Sequence, residues 1–133
     1  MFSIIIPTFN AAKTILKTLE SCIEQTYVPK EIIIIDDCST DDSYALVKNW
    51  KANYSGEVKV IVERLEVNSG PSKARNRGWE LASAEYIAFL DADDRFVPKK
   101  LERVASVLKE TEEIVLLGHA YSLDEENKKT VRN

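Results

Sequence analysis

Apolar runs alternate along the chain with segments whose apolar positions recur at helical spacing. The run over residues 3–6 is rich in β-branched side chains and closed by Pro7, and Glu31 leads Ile32, Ile33, Ile34 and Ile35 into Asp36 and Asp37. Continuous rather than alternating apolarity predicts strands buried on both faces of a parallel sheet. Between these runs, Ile15, Leu16, Leu19, Cys22 and Ile23 share one helical face, predicting a helix over residues 11–25 with Asn10 as its cap. Ser39, Thr40 and Asp41 supply capping groups for a second helix that ends near Asn53. Residues 58–65 read as the third strand, 71–83 as the third helix with Pro71 at its start, and 85–90 as the fourth strand. Pro98 opens a fourth helix, 114–121 reads as a fifth strand, and the polar residues 124–129 form a turn at a frayed end.

This alternation predicts an α/β fold: a mostly parallel sheet in the order 3-2-1-4 with helices on both faces. A content of 44% hydrophobic and 30% charged residues in 133 suits one globular domain. The net charge of -4 and the sequence pI near 5.1 offer no basic surface, so neither nucleic acid nor an anionic membrane is expected as a partner. Cys22 and Cys38 suggest neither a disulfide framework nor a metal spacing, which fits a reducing cytoplasm. The opening residues lack a basic leader, and their apolar run is too short for a membrane span.

Ligands of such sheets bind outside the carboxyl ends of the strands. Pro7-Thr8-Phe9-Asn10 follows the first strand, Asp36-Asp37 ends the second, and Asp91-Ala92-Asp93-Asp94 ends the fourth, so three polar segments converge on one edge. Each has an ordinary structural reading as a cap, a turn or a solvated loop. Together they gather several carboxylates at one place, which is costly unless a cation or hydrogen-bond donors relieve it.

Four stretches then carry a resemblance: Ser3-Ile4-Ile5-Ile6-Pro7-Thr8-Phe9-Asn10, Glu31 through Asp41, Asn68-Ser69-Gly70-Pro71-Ser72-Lys73-Ala74-Arg75-Asn76-Arg77-Gly78, and Tyr86 through Asp94. In this order and spacing the chain resembles the family 2 glycosyltransferases, over residues 2 to 110. The resemblance implies the Rossmann-like nucleotide-binding half of a GT-A fold. It also implies an inverting, hexosyltransferase-type enzyme of cell-surface polysaccharide biosynthesis. Such an enzyme moves a sugar from a nucleotide diphosphate donor, here expected to be UDP-linked, to a saccharide or lipid-linked acceptor. The implied location is the cytoplasm or the cytoplasmic face of a membrane.

Carried over residue by residue, the resemblance places Pro7, Thr8, Phe9, Asn10, Asp37, Arg75, Asp91, Ala92 and Asp93 around the nucleotide sugar. Phe9 stacks on the base, Asp37 accepts the imide N–H of the base, and Arg75 reaches the base or phosphates. Asp91-Ala92-Asp93 is similar to the DXD motif, with Asp93 as ligand of Mn2+ or Mg2+ and Asp91 in support. Asp94 is read as an outer or structural group.

The remaining signals read as structural. Gly70 and Pro71 are helix punctuation, and Gly78 permits close packing of the third helix beside Ala74 and Ala82. His119, Trp50 and Trp79 are read as structural, and Lys99 and Lys100 as solvated. The family's catalytic base is expected beyond Asn133, because Asp124, Glu125 and Glu126 match no catalytic motif. Residues 1–122 are thus expected to form the donor-binding portion of a longer enzyme, with 123–133 a polar tail at the break. Two rivals remain: a non-catalytic nucleotide-binding module, and a receiver-type signalling domain. The receiver pattern puts its acidic pair after the first strand, where this chain has Pro7-Thr8-Phe9-Asn10.

Overall fold

The computed structural model describes residues 1–110. In chain order these form β1 (Phe2–Thr8), α1 (Ile15–Ile23), β2 (Glu31–Asp36), α2 (Ser43–Asn53), β3 (Lys59–Arg64), α3 (Pro71–Leu81), β4 (Tyr86–Phe89) and α4 (Lys100–Glu110). The strands pair in the order β3-β2-β1-β4, all parallel, as the alternation predicts. The expected fifth strand, the boundary at residue 122, His119 and the acidic residues 124–126 lie outside the described residues.

Every residue of β1 and β2 is buried, as their unbroken apolarity requires. Side chains of a strand alternate between faces. Ile4, Ile6, Ile32 and Ile34 accordingly meet Ile15, Leu19 and Cys22 of α1, Val47 of α2 and Leu101 of α4 in the larger core. Ile5, Ile33 and Ile35 meet Ala74 of α3 on the opposite face. Gly78 lets α3 lie close to that face, since a Cβ at this position would overlap the Ile5 side chain. Gly70 precedes Pro71 with φ of 91°, a conformation that favours glycine, and ends the approach to α3.

Several expectations are corrected. Helix α1 starts at Ile15 rather than at residue 11, and Asn10 does not cap it. Asn10 has φ of 48°, and its side-chain oxygen accepts the N–H groups of Thr40 and Asp41, so it braces the loop before α2. Trp79, read as structural, is 60% exposed, with its ring centroid 6.1 Å from that of Phe89. Lys100 is buried rather than solvated, and burial, with the like charge of Arg103, pulls its pKa down to about 8. Both cysteines are free, and burial pushes the Cys22 thiol up to about 12. No helix among the described residues is long and apolar enough to cross a membrane.

Candidate functional site

At the carboxyl edge of the sheet the loops after β1, β2 and β4 come together. Alternation along β2 sends its last residue and the next to opposite faces, so the adjacent Asp36 and Asp37 serve different helices. Asp36 turns to the α2 side, where its Oδ2 accepts the Ser39 N–H at 3.0 Å and lies 3.5 Å from Arg64 Nε. Asp37 accepts the N–H groups of Ser69 at 2.7 Å and Gly70 at 2.8 Å, placing a carboxylate at the amino end of α3 where the helix dipole favours negative charge.

The β1–α1 loop is clasped by the segment before α2. Three successive N–H groups, of Asn10, Ala11 and Ala12, donate to Ser39 Oγ, Ser43 Oγ and Asp41 Oδ2 at 3.0, 2.7 and 3.1 Å. Partial loss of water acts to raise the Asp41 carboxyl. The hydrogen bonds from Ser43 and from the Ala12 N–H outweigh it and hold the group below the usual carboxylate range. The clasp leaves Phe9 projecting, with 49% of its surface exposed. A ring in that position is available to a planar ligand and contributes little to the core.

After β4 the chain turns sharply, with the Asp94 N–H donating to the Asp91 carbonyl at 3.0 Å. Ala92 points inward and is buried, while Asp91, Asp93 and Asp94 are exposed and present carboxylate oxygens within 4.8 Å of one another. Arg75, from α3, holds Asp91 Oδ1 through Nη2 at 2.7 Å. An all-oxygen donor set of this size and charge suits a hard divalent cation such as Mg2+ or Mn2+ better than a soft one. The geometry therefore fits the cation expected at Asp93 and Asp91, and it adds Asp94 to the same cluster.

These parts surround a cleft of about 780 Å³, within the range of small-molecule sites. Of the residues expected around a nucleotide sugar, Pro7, Phe9, Asn10, Arg75, Asp91, Ala92 and Asp93 line it. Thr8 and Asp37 do not. Both are buried; the Thr8 hydroxyl turns back to the Ile6 carbonyl at 3.4 Å, and Asp37 holds the start of α3. Lys13 and Asp41 also line the cleft; Asp41 was expected only as a capping group, and Lys13 carried no expectation.

A second omission lies on α1 and just beside it. Thr14, Thr18, Ser21 and Gln25 form a polar column along the apolar stripe, and all four bond to the segment after β4. Their spacing of three or four residues was the available signal. It was hidden because the apolar positions of the same helix had already explained its burial.

The chain matches the family model described as Glycosyl transferase family 2 over residues 3–133. It is 42% identical over 108 residues to the glycosyltransferase YibD of Escherichia coli (strain K12), a match that covers 81% of this chain and 30% of YibD. The crystal structure of Staphylococcus aureus TarS 1-349 in complex with UDP-GlcNAc superposes with a TM-score of 0.75 at 31% identity, covering 94% of this chain and 38% of that one. The mannosyltransferase PcManGT from Pyrobaculum calidifontis, in complex with GDP-Man and Mn2+, gives a TM-score of 0.70 at 26% identity, covering 80% of this chain and 31% of that one. The chain thus spans about a third of the length of each of these matched chains.

Proposed function

The chain belongs to glycosyl transferase family 2, and we propose that its cleft binds a nucleotide diphosphate sugar, UDP-linked, as the donor for inverting transfer to an acceptor hydroxyl. The observation that carries the proposal is the meeting of Phe9, Arg75, Asp91 and Asp93 around one cleft, although they come from three separate parts of the chain. The Phe9 ring offers a stacking face for the base. Arg75 brings fixed donors to the diphosphate, and its ion pair with Asp91 aims the guanidinium along the cleft wall. Lys13 adds a second positive charge from the β1–α1 loop. Asp37 has lone pairs beyond the two that take the Ser69 and Gly70 N–H groups, so it retains capacity for the imide N–H of uracil. Pro7, Thr8, Asn10 and Ala92 shape the wall or support it from beneath.

Asp93, with Asp91 and Asp94 beside it, would hold Mn2+ or Mg2+. A divalent cation there supplies charge stabilisation for the departing nucleoside diphosphate. The comparisons that support this reading are a relative bound to UDP-GlcNAc and another bound to GDP-Man and Mn2+. The saccharide or lipid-linked nature of the acceptor and the hexosyl type of the sugar follow from the family reading alone, as does work at the cytoplasmic face of a membrane.

Titration calorimetry with UDP tests the proposal, run once with Mn2+ and once with chelator. Binding in the presence of the cation and a marked loss with chelator are expected. Equal affinity in both would remove the cation from the account, and absence of binding to UDP, TDP and GDP alike would remove the donor site.

A further inference from the structure

We propose that Thr18, helped by Thr14, is a positioning residue that sets the directions of the Asp93 and Asp94 carboxylates, an inference that rests on reading this acidic loop as the cation site. Thr18 is fully buried, and its Oγ1 lies 2.7 Å from the Asp94 carbonyl and 2.9 Å from the Ala92 carbonyl. Thr14 Oγ1 lies 2.9 Å from the same Ala92 carbonyl. A hydroxyl has one proton to give. With Thr14 serving Ala92, the shorter distance assigns the Thr18 proton to Asp94.

The peptide between residues 92 and 93 is then pinned through the Ala92 carbonyl, and the peptide between 94 and 95 through the Asp94 carbonyl. The one between them is pinned by the Asp94 N–H, which donates to the Asp91 carbonyl at 3.0 Å. Three successive peptide planes are each fixed by a hydrogen bond, so the backbone on both sides of Asp93 has little freedom left. The grip continues down α1, where Ser21 Oγ accepts the Phe96 N–H and Gln25 holds both the Val97 carbonyl and the Leu101 N–H.

Asp91 is relieved by its ion pair with Arg75, but carboxylate oxygens within 4.8 Å of one another still repel. The two threonine hydroxyls oppose that repulsion from below and keep the oxygens converged before a cation arrives. Removing the Thr18 hydroxyl takes this donor from the Asp94 carbonyl, and the carbonyl is then freer to swing toward water. That rotation turns the Asp94 carboxylate away and loosens Asp93.

The test is a Mn2+ titration of the 133-residue chain in the presence of UDP, read by the electron paramagnetic resonance signal of free Mn2+, with urea denaturation run in parallel. Thr18→Val should weaken Mn2+ binding by about 10–100-fold, the usual cost of losing a group that orients metal ligands. Thr18→Ser, which keeps the hydroxyl, should restore most of it. Val47→Ala lowers stability at a buried position of α2 that makes none of these hydrogen bonds and should leave Mn2+ binding unchanged. Thr14→Val, at a less buried position, should act in the same direction as Thr18→Val and covers the case in which Thr18→Val does not fold. Unchanged Mn2+ affinity in both valine variants would overturn the inference, as would an equal loss in Val47→Ala. If those variants bind normally while Asp93→Asn does not, the cation reading stands and the positioning role falls. If the wild-type chain binds no Mn2+, both fall together.

Discussion

Asp37→Asn separates what a buried carboxylate does for the fold from what it does for a ligand. The side chain accepts two backbone N–H groups, at 2.7 Å from Ser69 and 2.8 Å from Gly70, both at the amino end of α3. An asparagine of the same shape keeps one acceptor oxygen, but its NH2 must face the other N–H, so one bond is lost and the other becomes a neutral one. A hydrogen bond to a charged group contributes about 1.5–3 kcal/mol. Negative charge near a helix amino end adds about 0.3–1 kcal/mol. The sum predicts a loss of about 2–4 kcal/mol of folding stability, read from urea denaturation followed by far-UV circular dichroism at neutral pH. Nucleotide affinity should fall as well, because the first turns of α3 carry Arg75. An unchanged midpoint and slope would refute the reasoning. If UDP binding alone suffered, the carboxylate would serve the ligand only, and the start of α3 would be held by something else.

Phe9→Ala should weaken UDP binding by about 1–3 kcal/mol, the scale of base–aromatic stacking, with little change in stability; unfolding with normal affinity per folded molecule would make Phe9 a core residue. Gly78→Ala puts a methyl group into the fully buried Ile5 side chain and should destabilise by about 1–3 kcal/mol, the usual cost of overpacking. Unchanged thermal melting would mean that α3 sits farther from the sheet. Glu31 carries the pH dependence: burial acts to raise its carboxyl, but hydrogen bonds from Ser3 and Ser83 and the charge of Lys59 win and lower it from the ordinary value of 4.5. A depressed folded pKa stabilises above the unfolded value and is lost as pH falls through the folded one, so Glu31→Gln should cost stability at pH 7 and progressively less at pH values below about 4.5. An equal cost at every pH would assign the effect to shape rather than charge.

The sheet was legible in the sequence because its central strands are apolar without interruption, and only a parallel strand covered on both faces accommodates four successive isoleucines as β2 does. Alternation with helices implied the parallel pairing, and the expected order 3-2-1-4 is one of the arrangements that alternation allows. Helix ends were less legible, since they depend on partners distant in sequence. The α1 helix starts at Ile15, after a loop whose N–H groups at residues 10 to 12 are bonded to Ser39, Ser43 and Asp41 from the segment before α2. Lys100 reads as solvated in the sequence because a lysine after a proline gives no sign of burial, and Trp79 reads as structural because helical spacing cannot show where a neighbouring surface ends. The cleft was legible through its motifs, but Lys13 and Asp41 were not, since each is an ordinary charge near a helix start until the loops are brought together.

Polar residues in the matched motifs divide by what they touch, and the division explains why so many of them gather at one edge. Phe9, Arg75, Asp91 and Asp93 face the cleft. Asp36, Asp37, Ser39, Ser43 and the Asn10 oxygen are instead engaged with the backbone of a neighbouring loop. Each of those bonds joins segments far apart in sequence or holds the turn that carries such a bond. The distinction matters because the parts facing the cleft include carboxylates close enough to repel one another and an aromatic ring half exposed to water. Left on unbraced loops, such groups would relax into solvent and would have to be ordered again at every binding event, at a cost in loop entropy. Bracing transfers that ordering to the folding reaction. A substitution at Asp36, Ser39 or Ser43 should therefore weaken ligand binding even though none of these residues faces the cleft, which is why motif membership alone does not identify a ligand contact.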